Sequence, residues 1–320
     1  YVILDEAQAI KNADARTSRA CKKLKAEHRL ALTGTPIENH LGELWSLMEF
    51  LNPGATSRFE GLAGRGHPDD LAMVRRAVQP FILRRTKREV AKELPERIEQ
   101  TLPCEMTEEQ EKHYNQLLAK IRADLFDQVE RIGIGKARMA ILEGLLRLRQ
   151  ISCHPVLVDR NRFDAGSGKM EALLPMLEES HEEKRKTLVF SQFTSFLALV
   201  RAELDERKIP YEYLDGGTVD RAERVKHFAD DEGVSVFLLS LKAGGVGLNL
   251  QAAERVVLLD PWWNPAVEAQ AIDRAHRIGQ HRTVHALRFV SVGTVEERVL
   301  EMQARKRTLA DAILGEDAGP

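Results

Sequence analysis

Short, almost wholly apolar runs alternate along this chain with amphipathic stretches of helical period, and the runs stop in acidic, hydroxyl or glycine residues. A strand that is apolar on both faces has both faces buried, and a parallel sheet covered by helices is the architecture that does this. The pattern therefore predicts α/β architecture. Two groups of such runs stand out. The first comprises a strand at 1–5, a helix near 14–26, a strand from Arg29 to Thr33 and a helix near 41–51 that stops at Asn52-Pro53-Gly54. The second runs from about Lys169 to Leu309, with strands at Thr187 to Ser191, Tyr211 to Leu214, Val234 to Ser240, Arg255 to Asp260 and Thr283 to Val290.

The segment between them, about 84–165, reads as helical. A T-x-x-Q capping box, Thr107 to Gln110, opens a stripe of Leu117, Leu118, Ile121 and Leu125, and a second helix carries Ile141, Leu142, Leu145 and Leu146 before His154-Pro155. Gly166-Ser167-Gly168 then reads as a hinge. A length of 320 residues suits two domains. Three separated cysteines, Cys21, Cys104 and Cys153, suggest neither a disulfide frame nor a zinc site, and point to a reducing compartment. No apolar run reaches the ~18 residues of a membrane span, so no membrane partner is expected. With 47 basic and 49 acidic residues the formal charge is -2, so a nucleic-acid site must be a local patch. Tyr1 is not a start methionine and opens directly on a strand, so the chain is expected to begin inside a domain, with no secretion signal in view.

Asp5-Glu6 stands at the carboxyl end of its strand, where open α/β sheets bind ligands. Two adjacent carboxylates suit metal-dependent phosphate chemistry, one holding Mg²⁺ and the other orienting or deprotonating water; a merely solvated strand end is the alternative. Leu32-Thr33-Gly34-Thr35-Pro36 ends the next strand in two hydroxyls and a glycine turn, where a phosphate sensor or a simple turn fits. Near the other end, Arg274 and Arg277 lie three apart in Gln270 to Gln280, a spacing that puts both on one helix face. Such a guanidinium pair suits a γ-phosphate, and a solvated basic face is the alternative. In Ser240 to Leu250 three glycines allow close backbone approach to a phosphate and Lys242 adds charge, or the stretch is a flexible connector. Trp262-Trp263, between prolines, either stacks on a base or fills an interface. The Arg84-Arg85-Thr86-Lys87-Arg88 run is open between phosphate contact and solvated charge.

Asp5-Glu6-Ala7-Gln8 with Leu32 to Pro36 resembles the Walker B box and coupling motif of superfamily 2 helicases. Adding Ile82 to Lys87, Leu94-Pro95, Leu146 to Pro155, Val189 to Phe193, Leu214-Asp215-Gly216, Ser240 to Leu250, Asp260 to Pro265 and Gln270 to Gln280, the chain resembles the Snf2 (SWI2/SNF2) family over nearly its whole length. The resemblance implies two RecA-like parallel-sheet lobes joined by a helical insertion. Lobe 1, truncated at its N-terminus, takes 1–83, the insertion 84–165, lobe 2 166–310, and a tail 311–320.

It implies ATP and Mg²⁺ as cofactors, Asp5 on the metal, Glu6 activating water, and Arg274 and Arg277 as arginine fingers beside Gln270. Gln8, Thr33, Gly34 and Thr35 form the coupling set, with Gln8 where many relatives carry histidine, and Gly245 and Gly247 stand on the nucleotide side. Duplex DNA is the implied partner, met by Arg84, Arg85, Ser191, Gln192, Lys242, Gly244, Asn249 and Trp262. The implied activity is DNA-stimulated ATP hydrolysis that drives translocation and remodels protein–DNA complexes. A strand-separating or RNA-polymerase-associated helicase, and a decayed motor that scaffolds DNA, are the alternatives. RNA polymerase or another DNA-bound protein is the object to be moved. A monomer is favoured, in the cytoplasm at a bacterial nucleoid, or in the nucleus of a eukaryote.

No G-x-x-x-x-G-K-[ST] occurs in the chain. Gly168-Lys169 is followed by Met170 and Gly135-Lys136 by Ala137, so neither makes a phosphate loop. These 320 residues alone are expected to be inactive.

Overall fold

The computed structural model describes residues 1–38, 40–54, 68–162, 165–244 and 247–314. In chain order the elements are β1 (Val2–Leu4), α1 (Arg16–Lys22), β2 (Arg29–Ala31), α2 (Leu41–Leu51), α3 (Pro68–Val78), α4 (Lys87–Val90), β3 (Arg97–Cys104), α5 (Glu108–Ile132), α6 (Arg138–Cys153) and α7 (Gly168–Glu182). There follow β4 (Thr187–Ser191), α8 (Thr194–Glu206), β5 (Tyr211–Leu214), α9 (Arg221–Asp230), β6 (Val236–Ser240), α10 (Leu241–Gly244), β7 (Arg255–Leu258), α11 (Pro265–Ile272), β8 (Val284–Ser291) and α12 (Val295–Leu314). Two compact units form, one of Tyr1–Thr86 with the chain from Gln303 onward, the other of Lys87–Met302. No helix among the described residues is long and apolar enough to cross a membrane.

In the first unit β1 and β2 pair in parallel, Leu4 opposite Ala31. Ala7, Ile10, Leu47 and Phe50 bury one side of this pair, and Leu41, Leu44, Trp45 and Met48 of α2 pack with Val74 and Val78 of α3. The second unit is built on a six-stranded parallel sheet of order β3-β8-β7-β4-β6-β5. All five residues of β4 and of β6 are buried. Val189, Leu238 and Val257 enter one core with α7 and α8, while Leu188, Phe190, Phe237, Leu239 and Leu258 enter the other. Each such side chain contributes about 1.5–3 kcal/mol relative to an exposed position, so these central strands anchor the loops at their carboxyl ends.

Over residues 97–168 the structure differs from the sequence expectation in three places. The stretch 97–104, read within the helical segment, is the edge strand β3, paired with β8 along its length. Its Pro103 is tolerated because an edge strand leaves one side unpaired. The capping box is half formed: Thr107 accepts from Gln110 N at 3.1 Å, but the buried Gln110 side chain reaches Ile151 O at 2.9 Å and Ser152 O at 3.2 Å and accepts from Gly168 N at 3.1 Å. It ties α5 to the end of α6 and the start of α7. The third difference is Gly166-Ser167-Gly168, which is no hinge. Ser167 donates to Cys153 O at 2.5 Å, and a Cβ on Gly168 would stand 1.7 Å from Glu105 O. Glycine is required there for close backbone approach rather than for freedom. These ties group the helical hairpin with the second sheet in the compact unit Lys87–Met302.

Candidate functional site

Parallel pairing brings the ends of β1 and β2 side by side, and a chain of side-chain hydrogen bonds spans them. Asp5 and Glu6 are exposed at the end of β1, and Asp5 Oδ1 accepts from Glu6 N at 2.9 Å. Glu6 has φ 50 and ψ 48, a left-handed conformation. For a non-glycine residue this costs on the order of 1–3 kcal/mol, strain that clusters at functional sites. Gln8 Nε2 donates to Glu6 Oε2 at 2.6 Å, and Gln8 Oε1 accepts from Thr33 Oγ1 at 2.8 Å. A carboxylate only accepts, so the amide group of Gln8 must face Glu6 and its oxygen must face Thr33. Thr33 Oγ1 in turn accepts from Thr35 N at 3.1 Å, and Thr35 Oγ1 donates to Glu38 at 3.0 Å. Glu38 is paired with Lys11. Glutamine at position 8 thus bridges Glu6 and Thr33. Gly34 is exposed, and a Cβ there would meet nothing within 4 Å, leaving the turn open to an approaching group.

In the second unit the arginines lie beyond the helix on which they were expected. The last helical residue of α11 is Ile272, Gln270 is half-buried in its final turn, and Arg274 and Arg277 occupy the following turn. Arg274 is half-buried and Arg277 exposed. This turn is held from several sides. Lys87 Nζ donates to His276 O and pairs with Asp273 Oδ1, both at 2.8 Å, and Arg97 reaches the same carboxylate at 3.3 Å. His276 is 2.8 Å from Pro95 O through Nε2. The buried Gln280 carboxamide donates to Gln251 O, Ala253 O and Ala275 O at 2.9, 2.8 and 3.2 Å and accepts from His281 N and Arg282 N. Leu250 N donates to Arg274 O at 3.1 Å. The end of the glycine-rich stretch is therefore fastened to the arginine turn.

Of the residues expected at DNA, Lys242 and Asn249 are exposed, as is Gly247, expected on the nucleotide side. Lys242 and Gly244 belong to the one-turn helix α10 rather than to an open loop. Gly247 has φ 55, which explains glycine there, and Gly245 lies outside the described residues. Arg84 and Arg85 are exposed. Ser191 corrects the expectation: it is 1% exposed, donates to Asp260 Oδ1 and accepts from Phe193 N at 3.0 Å, so its hydroxyl braces the loop and does not face solvent. Gln192 and Trp262 are half-buried, and both touch Arg149. Trp262 N donates to the buried Glu268 at 2.7 Å, and Glu268 also accepts from Arg288 at 2.8 Å.

Sequence reasoning assigned no task to Arg149, Lys169, Glu268, His276 or Gln280. Arg149 carried a signal, since it directly follows Leu148 and stands four residues after Leu145, on the apolar stripe of its helix. Lys169, in the false phosphate-loop match, is fully buried and bonded at 2.7 Å to Leu259 O and to both oxygens of Glu296. Burial opposes its charge, but Glu296 and its neighbours more than offset this and hold its pKa above the ordinary value. Burial likewise pushes the Cys153 thiol well up, so it is inert rather than nucleophilic. A concavity of about 730 Å³ over β5 and α9, lined by Glu212, Arg224 and His227 among others, includes none of the motif residues.

The SNF2-related domain model matches residues 1–157 and the helicase conserved C-terminal domain model matches 168–279. The SWI2/SNF2 ATPase core of Sulfolobus solfataricus, solved in complex with dsDNA, is 35% identical over 98% of this chain and 68% of that one, with a TM-score of 0.56. The chain belongs to the SWI2/SNF2 family. Within it, the putative ATP-dependent helicase/translocase YwqA of Bacillus subtilis is 39% identical over 98% of this chain and 35% of its own length. Human DNA excision repair protein ERCC-6 is 33% identical over 98% of this chain and 23% of its own. The chain thus spans about a third or less of these curated relatives. Its two units have the RecA-like character of SWI2/SNF2 cores.

Proposed function

We propose that this chain is the part of a SWI2/SNF2 motor that carries the water-activating residues, the arginine turn and a duplex-DNA-tracking lobe. The intact protein hydrolyses ATP in response to double-stranded DNA and moves along it, displacing or remodelling bound proteins. The Glu6–Gln8–Thr33 hydrogen-bond chain is the observation that carries the reading. It joins a general base to the hydroxyls that sense a γ-phosphate, as a motor needs if hydrolysis is to be felt elsewhere in its lobe.

Asp5 and Glu6 offer hard oxygen donors. Among the described residues no group of three or more His, Cys, Asp or Glu is placed to hold a metal. That donor set fits Mg²⁺ shared with a nucleotide, since this ion takes one or two carboxylates and keeps water and phosphate oxygens. Asp5 would hold it, and the ion would neutralise charge on the transferring phosphoryl group. Glu6 orients the attacking water, and Gln8 fixes its carboxylate. Arg274 and Arg277 offset charge on the γ-phosphoryl group. Duplex DNA as the partner is supported by the dsDNA complex of the Sulfolobus relative, and the exposed Lys242 and Asn249 suit a phosphate backbone. With no G-x-x-x-x-G-K-[ST] in its sequence, the 320-residue chain alone turns over no ATP above its Glu6→Gln variant.

The test is Arg277→Ala in the full-length protein. Nucleotide affinity should stay within a few-fold, while hydrolysis should fall by about 10³–10⁵, the range for an arginine finger. Normal turnover in that variant removes Arg277 from the chemistry.

A further inference from the structure

Arg149 is 2% exposed, although arginine is ordinarily a surface residue. It projects from the last turn of α6, in the Leu146 to Pro155 segment to which neither the motifs nor the function above gave a task. One guanidinium nitrogen donates to Gln192 Oε1 at 3.1 Å. Another donates to Pro261 O at 2.5 Å and lies 3.8 Å from Asp260 Oδ2. The group stacks over the rings of Phe193, Trp262 and Trp263 at 5.8, 5.9 and 5.2 Å.

One side chain from the helical hairpin thus touches both loops that leave the carboxyl ends of the neighbouring strands β4 and β7. Asp260 joins the same loops from below, accepting from the Ser191 hydroxyl and from Gln192 N at 3.3 Å. Charge alone does not explain the arrangement, because the carboxylate stands at the far limit of an ion pair. The fork and the flat face are what is used, and lysine offers neither.

Gln192 gives this a consequence. Its carboxamide oxygen is taken by Arg149, so the Nε2 group is the end left to donate. That atom is buried with no hydrogen-bond partner among the described residues. An unmet buried donor is unfavourable, and the bond from Arg149 to the oxygen is what fixes this carboxamide. We propose that Arg149 is a positioning residue for duplex DNA: it fixes the Gln192 carboxamide and the spacing of the 191–193 and 260–263 loops, so that the second lobe meets the phosphate backbone with its contacts already formed. The inference rests on the DNA-tracking reading above, and preorganisation of this kind acts by lowering the ordering cost of binding.

The experiment is fluorescence anisotropy of a labelled DNA duplex with the full-length protein, without nucleotide, for wild type, Arg149→Lys, Gln192→Leu and the double variant. Each single change should weaken binding by roughly tenfold, and the double variant should be no weaker than the worse single, since both break one connection. Arg149 touches no phosphate in this account, so the salt dependence of binding should be the same for a further variant, Arg149→Met, which lacks the charge, as for wild type. A slope reduced by about 0.9 would mean a direct phosphate contact and overturn the positioning role. Additive effects, or unchanged affinity with a lowered melting temperature, would overturn it as well. If Arg149→Lys does not fold, Gln192→Leu alone decides: unchanged affinity ends the proposal. A wild type that ignores duplex DNA overturns the DNA reading itself, whereas a wild type that binds, with additive variants, overturns this inference only.

Discussion

Replacing Lys169 by methionine keeps the aliphatic stem and removes the ammonium group that joins α7 to the end of β7 and to α12. Its Nζ makes three bonds of 2.7 Å, one to Leu259 O and two to Glu296, and both side chains are fully buried. Without it Glu296 keeps Ser291 N, at 2.9 Å, as its donor in a site closed to water. Breaking a buried pair from one side costs about 3–5 kcal/mol. Changing Glu296 to leucine as well removes the stranded charge and leaves two backbone groups unmet, Leu259 O and Ser291 N, which sets the double variant at about 2–6 kcal/mol. Additivity would require about 6–10 kcal/mol. Urea unfolding read by tryptophan fluorescence in a Trp45→Phe background reports on this unit, because the other tryptophans are Trp262 and Trp263. The raised Lys169 pKa means that its contribution is complete below the ordinary lysine value and fades only as pH rises through the folded value. A loss of less than about 1 kcal/mol for Lys169→Met, or full additivity in the double variant, would refute the reasoning.

Gln8→Leu in the full-length protein removes both bonds of the relay at nearly constant volume; ATP affinity should hold and turnover should fall by about 10²-fold or more, and wild-type steady-state turnover would take Gln8 out of the mechanism. His227 is drawn above its ordinary value near 6.5 by its hydrogen bond to Glu212, with Asp231 adding to the pull. A raised folded value places its stabilising pairing below pH about 6.5 and removes it as pH rises through the folded value. His227→Gln should therefore lower the melting temperature more in mildly acidic than in alkaline buffer, and equal losses in both would contradict the pairing.

The strands of the second unit were legible because β4, β6 and β7 are apolar on both faces, a pattern that a central parallel strand produces and little else does. Arg97–Cys104 was not, because an edge strand bearing Pro103 lacks that signature and depends on β8, nearly two hundred residues later, for its pairing. The Asp5-Glu6 and Thr33 motifs were readable, yet only parallel pairing of β1 with β2 shows that Gln8 bridges them. Spacing placed Arg274 and Arg277 on a helix, whereas the chain leaves α11 at Ile272 and is held by Lys87, Arg97 and Pro95, contacts too distant in sequence to read. Two glycines around Ser167 read as freedom, while the approach of Glu105 O makes Gly168 a point of close packing. Arg149 stood in a recognisable segment, but an arginine on a helix reads as solvated until three aromatic rings are seen around it.

The proposed motor couples ATP hydrolysis to duplex DNA through Glu6. This coupling is tested most directly by ATP turnover of the full-length protein with no nucleic acid, with duplex DNA, with single-stranded DNA and with RNA, beside a Glu6→Gln variant. Strong stimulation by the duplex, abolished by Glu6→Gln, is the predicted result. Turnover indifferent to duplex DNA, or retained in Glu6→Gln, would contradict it.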